Sequence, residues 1–249
     1  MPRCSGANRD IYAKCKWFYK NHYDDVIAML TRFCDGKKNF IRDFAFPYRR
    51  LCKDVWQLWK QIVYFGFEKK KSCYLSIYGF SDDVGDGLDR GYNRQMLPDY
   101  EKPIINKLWL ETDMYHGEGS SKDKAVYTLE DTLNTAFAID DYWDKTCLII
   151  FSGNKGFHVY KMLGQELTKK ELVNEQWAVV NEIETNPDII DTEYLGGGEV
   201  TRVFKIPFTV SHKTGRVCIP VTRDMGIDDV LAKSLRMPSV RDLELVKFR

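Results

Sequence analysis

A chain of 249 residues that is 44% hydrophobic and 14% aromatic can bury a sizeable core, which excludes an intrinsically disordered protein. Its formal net charge is only +1, yet residues 37–71 carry ten Lys and Arg against three Asp and Glu, so the rest of the chain is acidic. A basic segment beside an acidic site suits a protein that handles a polyanion with metal ions, although a solvated lysine-rich helix face explains the segment equally well.

Cysteine spacing and hydropathy exclude further classes of protein. The seven cysteines are widely spaced and include no CxxC or CxH pair, which argues against a disulfide framework and against a four-cysteine zinc site. No apolar run approaches about 18 residues, and the N-terminus has no apolar signal region. We therefore expect no membrane attachment and an intracellular location, in the cytoplasm, at the nucleoid or at a replication site.

The N-terminal part of the chain is predicted to be helical and basic. Apolar residues at three- and four-residue spacings predict helices, and alternating stretches predict strands. If the polyanion is a nucleic acid, the basic segment 37–71 is a candidate track for a single-stranded template, with exposed aromatic side chains for base stacking, or else it lines a nucleotide site. The predicted elements here are helices over 9–34 and 51–65 and strands over 40–46 and 73–80.

A segment rich in Gly, Asp, Asn and Pro, residues 81–103, is predicted to be a loop. It separates the N-terminal part, about residues 1–80, from a core of about residues 104–221 and a short tail, 222–249. No internal repeat and no long linker marks a boundary. We therefore expect a single domain over residues 1–249.

Two helices of the core carry N-terminal capping signatures. Thr128 is followed three residues later by Asp131, and Thr168 by Glu171, which is the spacing of a capping box. The predicted elements are strands over 107–114, 147–151, 157–163, 188–195, 200–206 and 216–221, helices over 127–141, 168–184 and 227–235, and an alternating segment over 243–247.

Glu111 and Asp113 end the apolar stretch that begins at Leu108. Because residues i and i+2 of a strand point to the same face, the two carboxylates are predicted to project side by side. They repel each other and cost desolvation unless a cation lies between them, and hard oxygen ligands of this kind suit magnesium or manganese. For a lone Glu-x-Asp, a strand that ends in a solvated acidic turn remains the ordinary interpretation.

A second motif joins two predicted strands through the turn Ser152-Gly153-Asn154-Lys155-Gly156, with His158 early in the second strand. The two glycines allow a tight turn and a close approach to a ligand. One hydroxyl and two potential cations then converge on a small volume, which suits a triphosphate. An ordinary hairpin with a surface histidine explains the pattern equally well.

Two further motifs follow. Asp191 and Glu193 follow the apolar pair Ile189-Ile190. Strand alternation would put both carboxylates on one face, so either could be the third carboxylate of a site with two metal ions. Basic residues then recur along residues 202–205 and are followed by a Ser-His-Lys-Thr-Gly turn over residues 211–215. An exposed basic hairpin is the alternative interpretation of this last motif.

Taken in order, these motifs resemble those of the archaeo-eukaryotic primase superfamily, and most closely the small catalytic subunit of archaeal and eukaryotic DNA primase. The matching stretches are the acidic pair Glu111 and Asp113, Ser-Gly-x-x-Gly-x-His over 152–158, the apolar pair followed by Asp over 189–191, and Lys-x-Pro-Phe-x-Val-x-x-Lys-Thr-Gly-Arg over 205–216. In addition, Arg42-Asp43-Phe44-Ala45-Phe46 resembles an element near the start of those subunits. The similarity covers about residues 40–221, and all of the motifs fall in the family's order.

The resemblance implies an α+β primase catalytic fold, with mixed or antiparallel sheets flanked by helices and an RRM-like catalytic half. It also implies a role for individual residues. Matched by position, Glu111, Asp113 and Asp191 would be catalytic and metal-binding, Glu193 would be the alternative third ligand, and Ser152, Lys155, His158, Lys205, Ser211, His212, Arg49 and Arg50 would bind the nucleotide.

The implied activity is template-directed nucleotidyl transfer, in which short RNA or DNA primers are made on single-stranded DNA from NTP or dNTP. Two Mg²⁺ or Mn²⁺ ions are the implied cofactors, and a primase large subunit is a candidate partner. A primase-polymerase or repair polymerase that extends primers with dNTP is the nearest alternative. An inactive module that binds single-stranded nucleic acid is the alternative from another class, while a metal-dependent nuclease leaves the Ser-Gly-x-x-Gly-x-His turn unexplained.

The chain departs from the family's pattern at several positions. Glu111 stands where the family usually has Asp. The family often has a histidine at the position of Ser211, whereas in this chain the histidine, His212, comes one residue later. Glycines at 196–198 add residues after the third acid, so the choice between Asp191 and Glu193 stays open. No Cys/His zinc cluster occurs, which favours a minimal version of the family without zinc.

Overall fold

Two antiparallel sheets with helices around them make up the part of the chain that the computed structural model describes. The predicted α+β class is confirmed. The structure describes residues 7–34, 40–43, 50–52, 54–80, 103–114, 127–183, 187–193, 195, 200 and 202–247. Several predicted features lie wholly or partly outside those residues, namely the loop 81–103, Phe44 to Phe46, Arg49 and glycines 196–198.

The described residues of the N-terminal part form three α-helices, one π-helix and three strands. Predicted helix 9–34 is in fact two helices, which separate at His22, where the backbone leaves the helical region (φ −118°, ψ 46°). Predicted helix 51–65 starts later, because residues 50–52 pair as a strand and Asp54 caps the helix by accepting the Gln57 N–H. The elements are α1 (Ala7–Asn21), α2 (Tyr23–Phe33), β1 (Phe40–Asp43), β2 (Arg50–Cys52), α3 (Val55–Gln61), a π-helix (Ile62–Glu68) and β3 (Tyr74–Phe80).

In the core, both predicted capping boxes are confirmed. Thr128 and Asp131 exchange hydrogen bonds at the start of one helix, and Thr168 and Glu171 do so at the start of the next. The elements are β4 (Pro103–Ile104), β5 (Lys107–Asp113), α4 (Leu129–Tyr142), β6 (Leu148–Phe151), β7 (Gly156–Met162), α5 (Lys169–Glu182), a 3₁₀-helix (Pro187–Ile189), β8 (Val203–Lys205), β9 (Ile219–Val221), α6 (Ile227–Lys233) and α7 (Val240–Leu243).

One strand prediction is wrong, and an alternating segment of the tail does not form a strand. The segment predicted as a strand over 188–195 begins as the 3₁₀-helix, and Ile190 makes only a single bridge, to Thr112. Pro187 opens this segment, and proline lacks the N–H that a strand ladder needs. The alternating segment 243–247 follows a short helix, α7, which Ser239 caps by accepting the Asp242 N–H. In both places a local cap or turn outweighs the alternation of side chains.

The two sheets are antiparallel throughout. One has the order β2-β1-β3-β4 with β8 also paired to β3, and the other has the order β5-β7-β6-β9. The succession β5–α4–β6–β7–α5 is the βαββα order of a ferredoxin-like half, and β9 pairs with β6 at the edge of the sheet. Of the candidate site residues, Glu111 and Asp113 lie on β5, His158 lies on β7, and Lys205 lies on β8 of the other sheet.

Aromatic and aliphatic side chains fill the core and join these layers. Trp109 and Tyr160 of one sheet pack edge-on against Phe204 of the other, at centroid distances of 5.2 and 5.5 Å. Tyr19 of α1 donates its hydroxyl proton to the Pro207 carbonyl, 3.1 Å away, and the Trp59 indole N–H donates to the Tyr19 carbonyl at 3.1 Å.

Among the described helices, none has both the length and the apolar character needed to cross a membrane.

Candidate active site

The two acids of β5 lie beside the strand that carries the histidine. In the β5–β7 register, Glu111 is opposite His158 and Asp113 is opposite Gly156. Nε2 of His158 lies 3.6 Å from Oε1 of Glu111, an ion pair when the ring is protonated. The His158 ring is fixed by stacking on Phe204, with centroids 4.0 Å apart and planes 9° apart. The histidine therefore faces the acids from a buried, rigid position.

Asp191 joins Glu111 through an arginine that the sequence did not single out. Nη2 of Arg202 donates to Oε2 of Glu111 at 2.6 Å and to Oδ2 of Asp191 at 2.9 Å. The Asp191 N–H also donates to the Glu111 carbonyl at 2.8 Å. Glu193, by contrast, has an exposed side chain, and its backbone N–H donates to Oδ1 of Asp191 at 3.3 Å. The structure therefore brings Asp191, and not Glu193, together with Glu111.

The environment holds Glu111 in its ionised form. Burial alone would raise the pKa of its carboxyl group, but His158 and Arg202 outweigh burial and lower the pKa to about 2. The three side chains Glu111, Asp191 and Arg202 retain only 18%, 17% and 21% of their exposure. An ion pair that is this well desolvated costs much more to break than a surface pair.

The turn before β7 fits tightly against the end of β5. The Ser152 N–H donates to the Gly156 carbonyl at 3.0 Å, which closes the turn. A Cβ atom at Gly156 would come within 1.8 Å of the Thr112 carbonyl oxygen, so only glycine allows this approach of the two strands. Nζ of Lys155 lies 3.0 Å from Oδ2 of Asp113. Lys155 and Asp113, predicted for different roles, are therefore ion-paired with each other.

Lys205 and Ser211 lie next to that turn. Nζ of Lys205 donates to Oγ of Ser211 at 2.7 Å, and both residues are buried. Burial lowers the pKa of the Lys205 ammonium, while the charge of Glu111 acts in the opposite direction. Gly153 adopts φ +73°, and a Cβ atom there would lie 3.3 Å from Cβ of Ser211. The Ser-Gly turn and the Ser-His-Lys-Thr-Gly turn are therefore in contact, although Gly153 and Ser211 are 58 residues apart in sequence.

His212 points away from Ser211 and towards the start of β3. Its backbone N–H donates to Oγ of Ser72 at 3.0 Å, and its Nδ1 lies 2.8 Å from the same oxygen. Because that hydroxyl already accepts the N–H, it can donate its own proton to Nδ1. Burial, and then the charges of Lys205, Lys213 and Lys71, lower the pKa of His212. Arg50 begins β2 opposite Arg42, and its side chain, like all of Arg49, lies outside the described atoms.

Most of the predicted site residues converge, but their partners could not be read from the sequence. Arg202 and Phe204 were missed as site residues. The only signal for Arg202 was its place at the start of a basic strand, and strand alternation does not tell which basic side chain turns towards the acids. The stacking of Phe204 on His158 joins two sheets and has no local signature.

The donor chemistry fits a divalent cation once the ion pairs with Arg202 and Lys155 rearrange. Glu111 and Asp191 already direct one oxygen each at a single positive group, the Arg202 guanidinium, which stands where a cation would be held. Asp113 is directed at Lys155 instead. Within the described residues, no three His, Cys, Asp or Glu side chains are grouped so that they could hold a metal ion as they stand. A metal ion would therefore have to displace Arg202.

Comparison with known proteins bears on the fold of the chain. No protein-family model and no curated protein sequence matches this chain. The fold is nevertheless similar to that of a polymerase domain, and in this chain Glu111 and Asp113 lie on β5, an edge strand of an antiparallel sheet. Among 28 solved chains with a similar fold is the polymerase domain of Mycobacterium tuberculosis ligase D in complex with DNA. The similarity has a TM-score of 0.53 at 13% identity and covers 96% of this chain and 87% of that one.

Proposed function

We propose that this chain is a template-directed nucleotidyltransferase that makes short primers on single-stranded DNA, as a primase catalytic subunit does. The observation that carries the proposal is that Glu111 and Asp191 both bind one positive group, the Arg202 guanidinium, beside His158. Lys155 and Lys205 lie around the same acids, within ion-pair distance of Asp113 and within electrostatic reach of Glu111. A site that combines carboxylates with fixed cations suits a metal-bound triphosphate better than either group would alone.

Each residue has a role that its position supports. Glu111 and Asp191, with Asp113 once it leaves Lys155, would hold Mg²⁺ or Mn²⁺. Such ions supply charge neutralisation of the triphosphate and a lowered pKa of the attacking 3′-hydroxyl. Lys155 would then be available as a point charge for phosphate oxygens. His158 is positioned to donate a hydrogen bond to the nucleotide, because stacking on Phe204 fixes the plane of its ring.

Lys205 supports the same proposal from the other sheet. Its ammonium is buried and held by Ser211, so it is oriented before a ligand arrives. A lysine whose pKa is lowered by burial gains from an anionic partner, and a triphosphate would supply that partner. Pre-oriented charge of this kind stabilises the transition state without reorganisation during the reaction.

Primer extension with dNTP, by a primase-polymerase or repair polymerase, is the second candidate. The observation that favours it is the fold shared with a polymerase domain whose structure was solved with DNA. Both candidates use the same acids and cations and differ in whether synthesis starts de novo and in which sugar is accepted. A primase large subunit remains a proposed partner for initiation.

The test uses purified protein on single-stranded DNA with Mn²⁺ or Mg²⁺ and with labelled ribo- or deoxynucleotides in separate reactions. Wild type is compared with Asp191→Ala and with Glu193→Ala, a matched control that removes a carboxylate two residues away. We expect Asp191→Ala to lose about 100-fold or more of the activity and Glu193→Ala to keep it. De novo ribonucleotide products would support the primase, whereas products from a supplied primer alone would support the polymerase.

Two results would contradict the proposal. The first is synthesis that survives in Asp191→Ala and in Glu111→Ala, because the acids would then have no catalytic role. The second is the absence of synthesis in every reaction while single-stranded DNA still binds. That result would favour a nucleic-acid-binding module without turnover.

A further inference from the structure

One face of the α3 helix and the π-helix that continues it is exposed and alternates aromatic and cationic side chains. Trp56, Lys60 and Tyr64 follow one another at four-residue spacing, which places them along one side of a helix. Trp56 and Tyr64 are 50% and 45% exposed, so part of each side chain is accessible to a ligand. We call this row, with Lys69 after it, the aromatic–cationic stripe.

The cations of the stripe lie over its aromatic rings. Nζ of Lys60 is 3.3 Å from the centroid of the Trp56 ring, and Nζ of Lys69 is 5.3 Å from that of Tyr64. Both are cation–π pairs in which the ammonium remains exposed. The lysines can therefore turn towards an incoming anion and leave the ring faces open to a planar group.

The acidic residues next to the stripe are already engaged. Glu68 pairs with Lys16 of α1 at 2.8 Å, and its pKa is lowered by Lys16, with smaller effects of Lys20 and Lys69. Asp54 accepts the Gln57 N–H at the start of α3. The electrostatic character of the stripe is therefore set by its lysines.

The stripe leads towards the candidate active site. After Lys69 the chain continues through Lys70 and Lys71 to Ser72, whose hydroxyl bonds His212. The charges of Lys71, Lys213 and Lys205 all reach His212 and lower its pKa. Cations thus follow one another from the stripe to Lys205, which is itself within electrostatic reach of Glu111.

We propose that the aromatic–cationic stripe binds single-stranded nucleic acid, with unpaired bases stacked on Trp56 and Tyr64 and phosphates on Lys60 and Lys69. Exposed aromatic rings interleaved with cations are the features by which proteins bind single strands without sequence preference. A duplex keeps its bases stacked on each other and offers no free ring face. The choice of a single strand as the ligand rests on the proposed function, which requires a single strand close to Lys205. Binding of that strand can nevertheless be measured without catalysis.

The binding test uses a fluorescein-labelled oligothymidylate of about 20 nucleotides, long enough to span the stripe, and fluorescence anisotropy without nucleotide or divalent ion. We expect Trp56→Ala and Tyr64→Ala each to raise Kd by about 10-fold, and Trp56→Phe to stay close to wild type. Lys60→Ala and Lys69→Ala should each lower the slope of log K against log salt by roughly 0.7. The matched controls are Tyr142→Ala, at an exposed tyrosine beside Glu175 and Glu182, and Lys247→Ala.

A measurement on the wild-type chain guards against variants that fail to fold. Ultraviolet crosslinking to an oligonucleotide that carries 5-iodouracil should give peptide adducts at Trp56 or Tyr64. Adducts only elsewhere would overturn the proposal, and so would unchanged Kd values in both alanine variants. A loss of duplex affinity equal to the loss of single-strand affinity would overturn the stacking. A dimer that falls apart in Trp56→Ala would assign the stripe to self-association and overturn the proposal as well.

The outcomes also separate this inference from the proposed function. Loss of single-strand binding in the stripe variants, from a chain that makes no product under any condition, would support the stripe and contradict the transferase. Synthesis by wild type, together with unaltered binding in Trp56→Ala and Tyr64→Ala, would support the transferase and contradict the stripe.

Discussion

Replacement of Gly156 by alanine tests the close approach on which the site's geometry depends. The added Cβ atom would lie 1.8 Å from the Thr112 carbonyl oxygen and 3.1 Å from Cα of Asp113. A comfortable contact is roughly 3.5 Å, so the strands must separate by more than about 1 Å. Neither contact is the movable end of a side chain, so the backbone itself has to yield.

The expected cost is at the upper end of what overpacking causes, about 3 kcal/mol. For a chain of 249 residues this corresponds to a fall in Tm of roughly 6–12 °C, measured by differential scanning calorimetry. Gly164→Ala is the matched control, because a Cβ atom at exposed Gly164 meets nothing within 4 Å, and its Tm should change by no more than about 2 °C. Since Asp113 is opposite Gly156, nucleotidyl transfer should fall as well. A Tm for Gly156→Ala within about 2 °C of wild type, with full activity, would refute the reasoning.

Three further predictions concern charge and capping. Because the pKa of Glu111 is about 2 in the folded protein against 4.5 ordinarily, its stabilisation is complete above pH 4.5 and is lost as the pH falls towards 2. In urea titrations at pH 5 and pH 2, metal-free wild type should lose about 3 kcal/mol more than Glu111→Gln, and equal losses would contradict this. Arg202→Met should lower the free energy of unfolding in EDTA by about 3–5 kcal/mol, because Glu111 and Asp191 then face each other without the Arg202 guanidinium. Mn²⁺ should raise the Tm of this variant more than that of wild type. An equal or smaller Mn²⁺ shift would show that Arg202 does not stand in the place of a cation. Thr168→Ala removes a capping box and should cost about 1 kcal/mol, or roughly 2–4 °C in Tm, whereas an unchanged Tm would mean that the α5 cap is replaced by solvent.

Local signals in the sequence predicted the elements that carry the site. The capping boxes at Thr128 and Thr168 fixed the starts of two helices, because a cap depends on residues only three apart. The apolar run before Glu111 and the glycine turn before His158 predicted two strands that are indeed neighbours. The α+β fold class that the resemblance implied is confirmed, and its finer implications stay predictions.

Long-range packing decided what the sequence did not reveal. Alternation put Asp191 and Glu193 on one face of a strand, but the segment follows a 3₁₀-helix, and only Asp191 turns towards Glu111. The displaced His212 was predicted for the nucleotide site, yet it is held by Ser72 of another segment. The change from α-helix to π-helix at Ile62 also has no signature in the apolar spacing.

The two hydrogen bonds through Tyr19 connect the helical layer with the chain that follows Lys205. The Tyr19 hydroxyl holds the Pro207 carbonyl, and the Tyr19 carbonyl accepts the Trp59 indole N–H. If a nucleotide engages Lys205 as proposed, any shift of Pro207 would alter the polarity around Trp59, a natural fluorophore 148 residues away in sequence. The emission of Trp59, read as the difference between wild type and Trp59→Phe, would then report occupancy of the proposed nucleotide site without any attached dye.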